Sequence, residues 1–145
     1  MPLFRLLLVA FFALQLVVVP AVAEAARHFV DAAGRSVEIP DRIERVLAAG
    51  PPASVLLYVL SPEKMVGWVR SPSAAEKEFL AAPYRDLQET GRLTGRGNTA
   101  NIEMVLSMKP DIIIDVGSVD ATYASLADRV QEQTGIPYVL IDGAF

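Results

Sequence analysis

The sequence predicts an α/β fold: a parallel sheet with helices on both faces, preceded by a short β-hairpin. Three observations carry this expectation. Short apolar runs of strand length alternate with helical patterns, the order produced when each strand is followed by a crossover helix. The run at 112–116, Ile-Ile-Ile-Asp-Val, has no polar residue until Asp115, as in a strand buried on both faces of a parallel sheet. Proline and glycine stand at the joints, in Gly50-Pro51-Pro52, Ser61-Pro62, Lys109-Pro110 and Gly135.

Each element has its own justification. Residues 28–31 and 36–39 alternate in polarity around Ala32-Ala33-Gly34-Arg35, where Gly34 is free to take positive φ, so they form a β-hairpin that Pro40-Asp41 ends. Residues 45–49, Arg-Val-Leu-Ala-Ala, make a compact strand. A helix over 53–60 follows, with Pro52 in its first turn, where a missing N–H costs nothing. Residues 64–69 read as a second sheet strand, and Ser71-Pro72-Ser73 opens a short helix backed by Ala74, Ala75, Glu76 and Glu78. From Leu80 to Gly97 the chain is loop-like, punctuated by Pro83, Gly91, Gly95 and Gly97. A helix over 101–108 places Ile102, Val105 and Leu106 on one face. After the 112–116 strand, a helix over 121–133 carries Leu126 and Val130 four apart and is capped by Gly135. The last strand is 138–141.

Composition excludes several functions. The chain has 145 residues, no Cys and one His, which leaves no disulfide scaffold, thiolate nucleophile or multi-histidine metal site. Its formal charge of −4 argues against nucleic acid as a partner, since counterion release needs a basic surface. An apolar content of 52% is too high for disorder.

Part of that apolar content is an address. Arg5 is followed by an apolar run from Leu6 to Val19, interrupted only by Gln15, and then by Ala21-Val22-Ala23. This is the pattern of a secretory signal peptide over 1–23, its apolar run short for a helix that spans a bilayer; an uncleaved N-terminal anchor is the alternative. Cleavage after Ala23 or Ala25 fits equally. Removing 1–23 removes only Arg5 among the charges, leaving 12 Lys+Arg against 17 Asp+Glu, or −5 over 122 residues. The expected product is an acidic, periplasmic protein with no Cys to accept a lipid anchor.

Five segments carry a resemblance to a known family. Asp31 to Pro40, D-A-A-G-R-S-V-E-I-P, resembles an opening D-x-x-G-R-x-V-x-I-P hairpin. Arg45-Val46 resembles the start of the first sheet strand, and Met65-Val66-Gly67-Trp68 a strand written x-V-G-V. Residues 101–114, N-I-E-M-V-L-S-M-K-P-D-I-I-I, are similar to N-x-E-x-I-L-x-L-K-P-D-L-V-I, and Thr134 to Val139 to a G-I-P-V strand entrance. In this order they resemble the N-terminal lobe of ABC-importer substrate-binding proteins of the iron-siderophore, haem and vitamin B12 type. The resemblance implies a class III periplasmic binding protein fold, in which two α/β lobes joined by a long helix hold ligand between them. It implies that residues 24–145 are one such lobe, with the C-terminal lobe missing beyond Asp142-Gly143 and the chain a fragment.

In an open parallel sheet, ligands bind beyond the carboxyl ends of the strands. The candidate ligand-binding residues are therefore Gly50, Pro51, Trp68, Arg70, Arg96, Asn98, Gly117 and Ser118. Trp68 either stacks on a bulky ligand or packs in the core. Arg70 and Arg96 offset the negative charge of a ferric chelate, grip an oxyanion bidentately, or stand solvated at the surface. By resemblance, Glu103 matches a glutamate that docks into an arginine pocket on a membrane permease, where charge complementarity sets orientation; its alternative is a solvated charge favoured by the helix dipole. His28 is structural or exposed, and Asp111 fixes the turn into its strand. Residues 91–98, G-R-L-T-G-R-G-N, lack the Gly-Lys-Ser/Thr of a phosphate loop.

The expected function is capture of a ferric siderophore, haem or cobalamin in the periplasm and delivery to an ABC permease, by a monomer without cofactor, resident metal or catalytic residues. An oxyanion such as molybdate or tungstate is the alternative ligand. A signalling or scaffolding domain built on the same lobe is a further alternative. A secreted α/β enzyme would need a Gly-x-Ser-x-Gly nucleophile elbow, which the sequence does not contain, and Ser118 has no His downstream.

Overall fold

The computed structural model describes residues 26–94 and 101–144. Strands β1 (Ala26–Val30) and β2 (Ser36–Pro40) pair antiparallel, with Phe29 opposite Val37. Strands β3 (Val46–Ala48), β4 (Ile112–Gly117) and β5 (Tyr138–Asp142) form a separate parallel sheet in the order β3-β4-β5. Its register sets Val46 beside Ile112 and Ile114 beside Val139. Helix α1 (Pro51–Leu60) follows β3, α2 (Ala74–Lys77) is a single turn, α3 (Ile102–Met108) leads into β4, and α4 (Ala121–Thr134) connects β4 to β5.

The period of two along the strands divides the core between the two faces. Leu47, Ile113, Tyr138 and Leu140 point to one side, where they pack with Val105 and Met108 of α3 and Ala127 and Val130 of α4. Val46, Ile112 and Val139 point to the other, where they meet Leu57 of α1, Met65, Trp68, and Val37 and Ile39 of β2. A sheet covered on both faces, with a hairpin before it, is the expected architecture. On α3 the buried pair is Val105 and Met108, whereas Leu106 is 44% exposed, so the apolar face is turned one position from the expected one.

The strand expected at 64–69 does not form. Pro62–Lys64 is a 3-10 turn, Met65 bridges Val46, and Trp68 bridges Glu89. The segment divides its pairing because Gly67 lets a second segment come close. A Cβ there would lie 2.4 Å from the Gln88 carbonyl oxygen, while Trp68 N donates to Gln88 O and Thr90 N to Trp68 O. The expected loop after Leu80 is therefore fastened to the sheet. Leu93 N and Thr94 N both donate to Ala49 O, and Leu93, Thr90 and Thr94 are buried.

The D-A-A-G-R turn is a clamp. Gly34 takes φ 76° and closes it with an N–H donated to Asp31 O. The buried Asp31 carboxylate accepts from Ala33 N, Arg35 N, Arg35 Nη1 at 2.8 Å and Leu140 N. Ala32 N donates to Leu140 O, so the turn docks on the outer edge of β5. Arg35 continues to Asp128 on α4 and to Tyr138 O, joining hairpin, helix and strand through one guanidinium.

Candidate functional site

The carboxyl ends of β3 and β4 carry Gly50, Pro51, Gly117 and Ser118. Gly50 is the buried N-cap of α1 and has an extended backbone. A Cβ on it would lie 2.9 Å from Thr94 Oγ1, so glycine permits the close approach of the 91–94 segment. Gly117 has φ 142°, and its carbonyl accepts from Gly143 N, holding the ends of β4 and β5 together; Ser118 beside it is exposed.

Beneath this rim lies a buried polar group. Asp115 accepts from Thr94 Oγ1 and from Tyr138 OH, both at 3.2 Å. Burial pushes the Asp115 carboxyl above its ordinary value, against the opposing pull of those hydrogen bonds. Burial, then the nearby Asp115 charge, pushes the Tyr138 phenol up, so it stays a donor. The network ties β4, β5 and the 91–94 segment together.

A groove of about 300 Å³ opens between α1 and the chain from Trp68 to Leu80. Pro51, Ser54, Val55 and Tyr58 form the helical wall, and Trp68, Val69, Arg70, Pro72, Glu76, Phe79 and Leu80 the other. Val55 and Tyr58 face it together because they are three apart on a helix. Trp68 is only 7% exposed; its Nε1 donates to Tyr84 O at 2.7 Å and its ring lies 5.4 Å from that of Tyr58. It presents a fixed wall rather than a free plate. Tyr58 OH accepts from Ala81 N, which pins the second aromatic.

Arg70 stands at the groove's mouth, 62% exposed, with its guanidinium paired to Glu76 at 2.7 and 3.0 Å. Glu76 closes a capping box at α2, its carboxylate accepting from Ser73 N while Ser73 Oγ accepts from Glu76 N. The Arg70 hydrogen bond, followed by those from Ser73, pulls the Glu76 carboxyl down to about 2. The same pairing raises Arg70. Glu89, which accepts from Ser71 N, is likewise lowered, chiefly by that hydrogen bond.

Of the sequence candidates, Pro51, Trp68 and Arg70 come together in this groove, with Gly50 beside Pro51. Gly117 and Ser118 lie on the same rim but outside the groove lining. Arg96 and Asn98, like the signal segment 1–23, lie outside the described residues. Glu103 is exposed in the first turn of α3, its N–H held by Asn101 Oδ1. His28 is exposed on β1 and Asp111 accepts from Glu44 N and Arg45 N at the start of β3. Among the described residues no three His, Cys, Asp or Glu side chains gather around a point that could hold a metal ion. The sequence reading missed Tyr58, Phe79 and Glu76. The Ser-x-x-Glu spacing at 73–76 was the available signal for Glu76.

No family model and no curated protein matches the sequence. Solved structures do match the fold. An ABC transporter solute binding protein from Sulfurospirillum deleyianum is similar over 80% of this chain, with TM-score 0.64 and 24% identity. A periplasmic solute binding protein from Veillonella parvula is similar over 81%, with TM-score 0.61 and 22% identity. The molybdate periplasmic binding protein of Haemophilus influenzae is similar over 80%, with TM-score 0.55 and 24% identity. The chain spans about a third of these proteins, 36%, 36% and 34% of their lengths. The described residues therefore have the fold of a single α/β lobe of the class III periplasmic binding proteins that serve ABC transporters.

Proposed function

We propose that this chain is the N-terminal lobe of an exported ABC-importer substrate-binding protein. It captures a bulky iron chelate, a ferric siderophore first and haem or cobalamin next, and presents it to a membrane permease. The observation that supports this ligand class is the groove itself: aromatic and aliphatic side chains line it, and its Pro51 end adjoins the carboxyl end of β3, the side on which open α/β sheets bind ligands. Its dimensions suit part of a large ligand, the remainder being left to a second lobe. Exposed Glu103 at a helix N-terminus supports the docking role proposed for it, since an acidic knob suits a basic pocket. Molybdate is the second ligand, on the strength of the molybdate-binding protein among the similar folds. The guanidinium available to it at Arg70 is already held by Glu76, which favours the chelate.

The test uses the full chain and its single tryptophan, which lines the groove. Titration with a ferric siderophore, haem, cobalamin and molybdate is expected to give saturable quenching of Trp68 fluorescence by one of the chelates. No saturable response to any of the four refutes ligand capture by this lobe.

A further inference from the structure

We propose that the groove selects a ligand face without net charge, and that Glu76 sets this preference. The inference rests on the capture of a chelate by this groove and names its charge class. The apolar wall comes from Val55, Tyr58, Trp68, Val69, Phe79 and Leu80, and Phe79 is 85% exposed at the open side. The charged side chains lining the groove are Arg70 and Glu76, and they neutralise each other through two hydrogen bonds.

That pair is held in place from outside the groove. Glu76 is the N3 residue of α2, and its carboxylate also accepts from Ser73 N at 2.7 Å. Glu89, fixed by Ser71 N, adds a second carboxylate near Arg70. An anionic ligand reaching the guanidinium must compete with a carboxylate already seated in bidentate geometry, and it meets the field of Glu89 as it does so. A neutral face meets walls that are mainly apolar and has no carboxylate to displace. Glu76 is thus a specificity-determining residue that acts through Arg70, and glutamine in its place keeps a side-chain acceptor for the capping box while removing the charge.

The experiment compares the full-length wild type with Glu76→Gln and with the double variant Arg70→Gln/Glu76→Gln. The probes are a neutral ferric trihydroxamate, a trianionic ferric tris-catecholate and molybdate, read by Trp68 quenching. Wild type is expected to bind the neutral chelate more tightly than the trianionic one. Glu76→Gln is expected to move the affinity ratio towards the anions by about fivefold, the scale of one partly exposed charge pair. The gain should shrink with added salt and vanish in the double variant. Tighter binding of the trianionic chelate by wild type, or an unchanged ratio in Glu76→Gln, overturns the selection by charge while leaving ligand capture intact. Failure of every probe to bind any of the three proteins overturns both. Far-ultraviolet circular dichroism identifies a variant that has not folded, and Arg70→Lys then serves instead: it keeps the cation but loses the two-point seat on Glu76, so the anion ratio is expected to rise, and an unchanged ratio overturns the inference.

Discussion

Replacing Asp31 by alanine should remove a large share of this lobe's stability. The Asp31 side chain is wholly buried, and it accepts from Ala33 N, Arg35 N, Arg35 Nη1 and Leu140 N. Removing one member of a buried ion pair strands the other and costs about 3–5 kcal/mol. Arg35 is 13% exposed and keeps Asp128 and the Tyr138 carbonyl, so the lower end of that range applies. The Leu140 N–H on the outer edge of β5 also loses its acceptor, which adds at least about 1 kcal/mol for an unsatisfied buried donor. The total of about 4 kcal/mol is a large share of the stability of a domain this size and should lower Tm by about 10–20 °C. Urea denaturation of wild type, Asp31→Ala and Asp31→Asn measures it. Asparagine retains an acceptor and should lose about half as much. A double-mutant cycle with Arg35→Ala should show strong coupling, because once Asp31 is gone alanine at 35 forfeits only the Asp128 and Tyr138 carbonyl contacts. If Asp31→Ala lies within about 1 kcal/mol of wild type at unchanged m-value, the clamp is not holding the hairpin to the sheet.

Three other outcomes follow from the same structure. Gly67→Ala brings a Cβ against the Gln88 carbonyl and Thr90 Cγ2 and should destabilise by roughly 2 kcal/mol or more, measured by thermal melting; an unchanged Tm contradicts the close approach. Glu76 is held near 2 in the folded chain against 4.5, so its contribution is complete above pH 4.5 and disappears as pH falls towards 2; melting curves of Glu76→Gln should lack this acid-side loss, and parallel curves would argue against the Arg70 pair. Asp115 shifts the other way. Its folded carboxyl binds a proton more readily than the unfolded one, so it weakens the fold as pH rises through and beyond the ordinary carboxylate range, and Asp115→Asn should be neutral or stabilising at pH 7 yet lose that advantage on acidification; a loss of several kcal/mol at pH 7 would sink this account.

The architecture was legible because it rests on period and punctuation. The 112–116 run became the central strand β4, and Gly34 and Gly135 take the positive φ expected of turn and cap. What the sequence hid depended on contacts between distant segments. The x-V-G-W stretch reads as a strand by composition, but its backbone is shared between Val46 and Gln88–Thr90, a division visible only once Gly67 meets its neighbours. Arg70 looked available because its partner lies six residues away across a turn. Trp68 was legible as an aromatic at a strand end, but its bond to the Tyr84 carbonyl depends on how the 80–87 segment folds back. Asp31 and Arg35 announced a turn, and nothing local told that the same pair would reach Leu140, Asp128 and Tyr138.

The docking of that turn on β5 also bears on self-association. A terminal strand with open amides and carbonyls is a template on which another chain can add a strand, the first step towards swapped dimers and fibrils. At Leu140 both groups are already taken, the carbonyl by Ala32 N and the amide by a carboxylate. An incoming strand would have to expel Asp31 and part it from Arg35 before making its first bond. The β5 edge of the sheet is thus guarded by a buried charge, so its resistance to templated growth depends on the integrity of the opening hairpin.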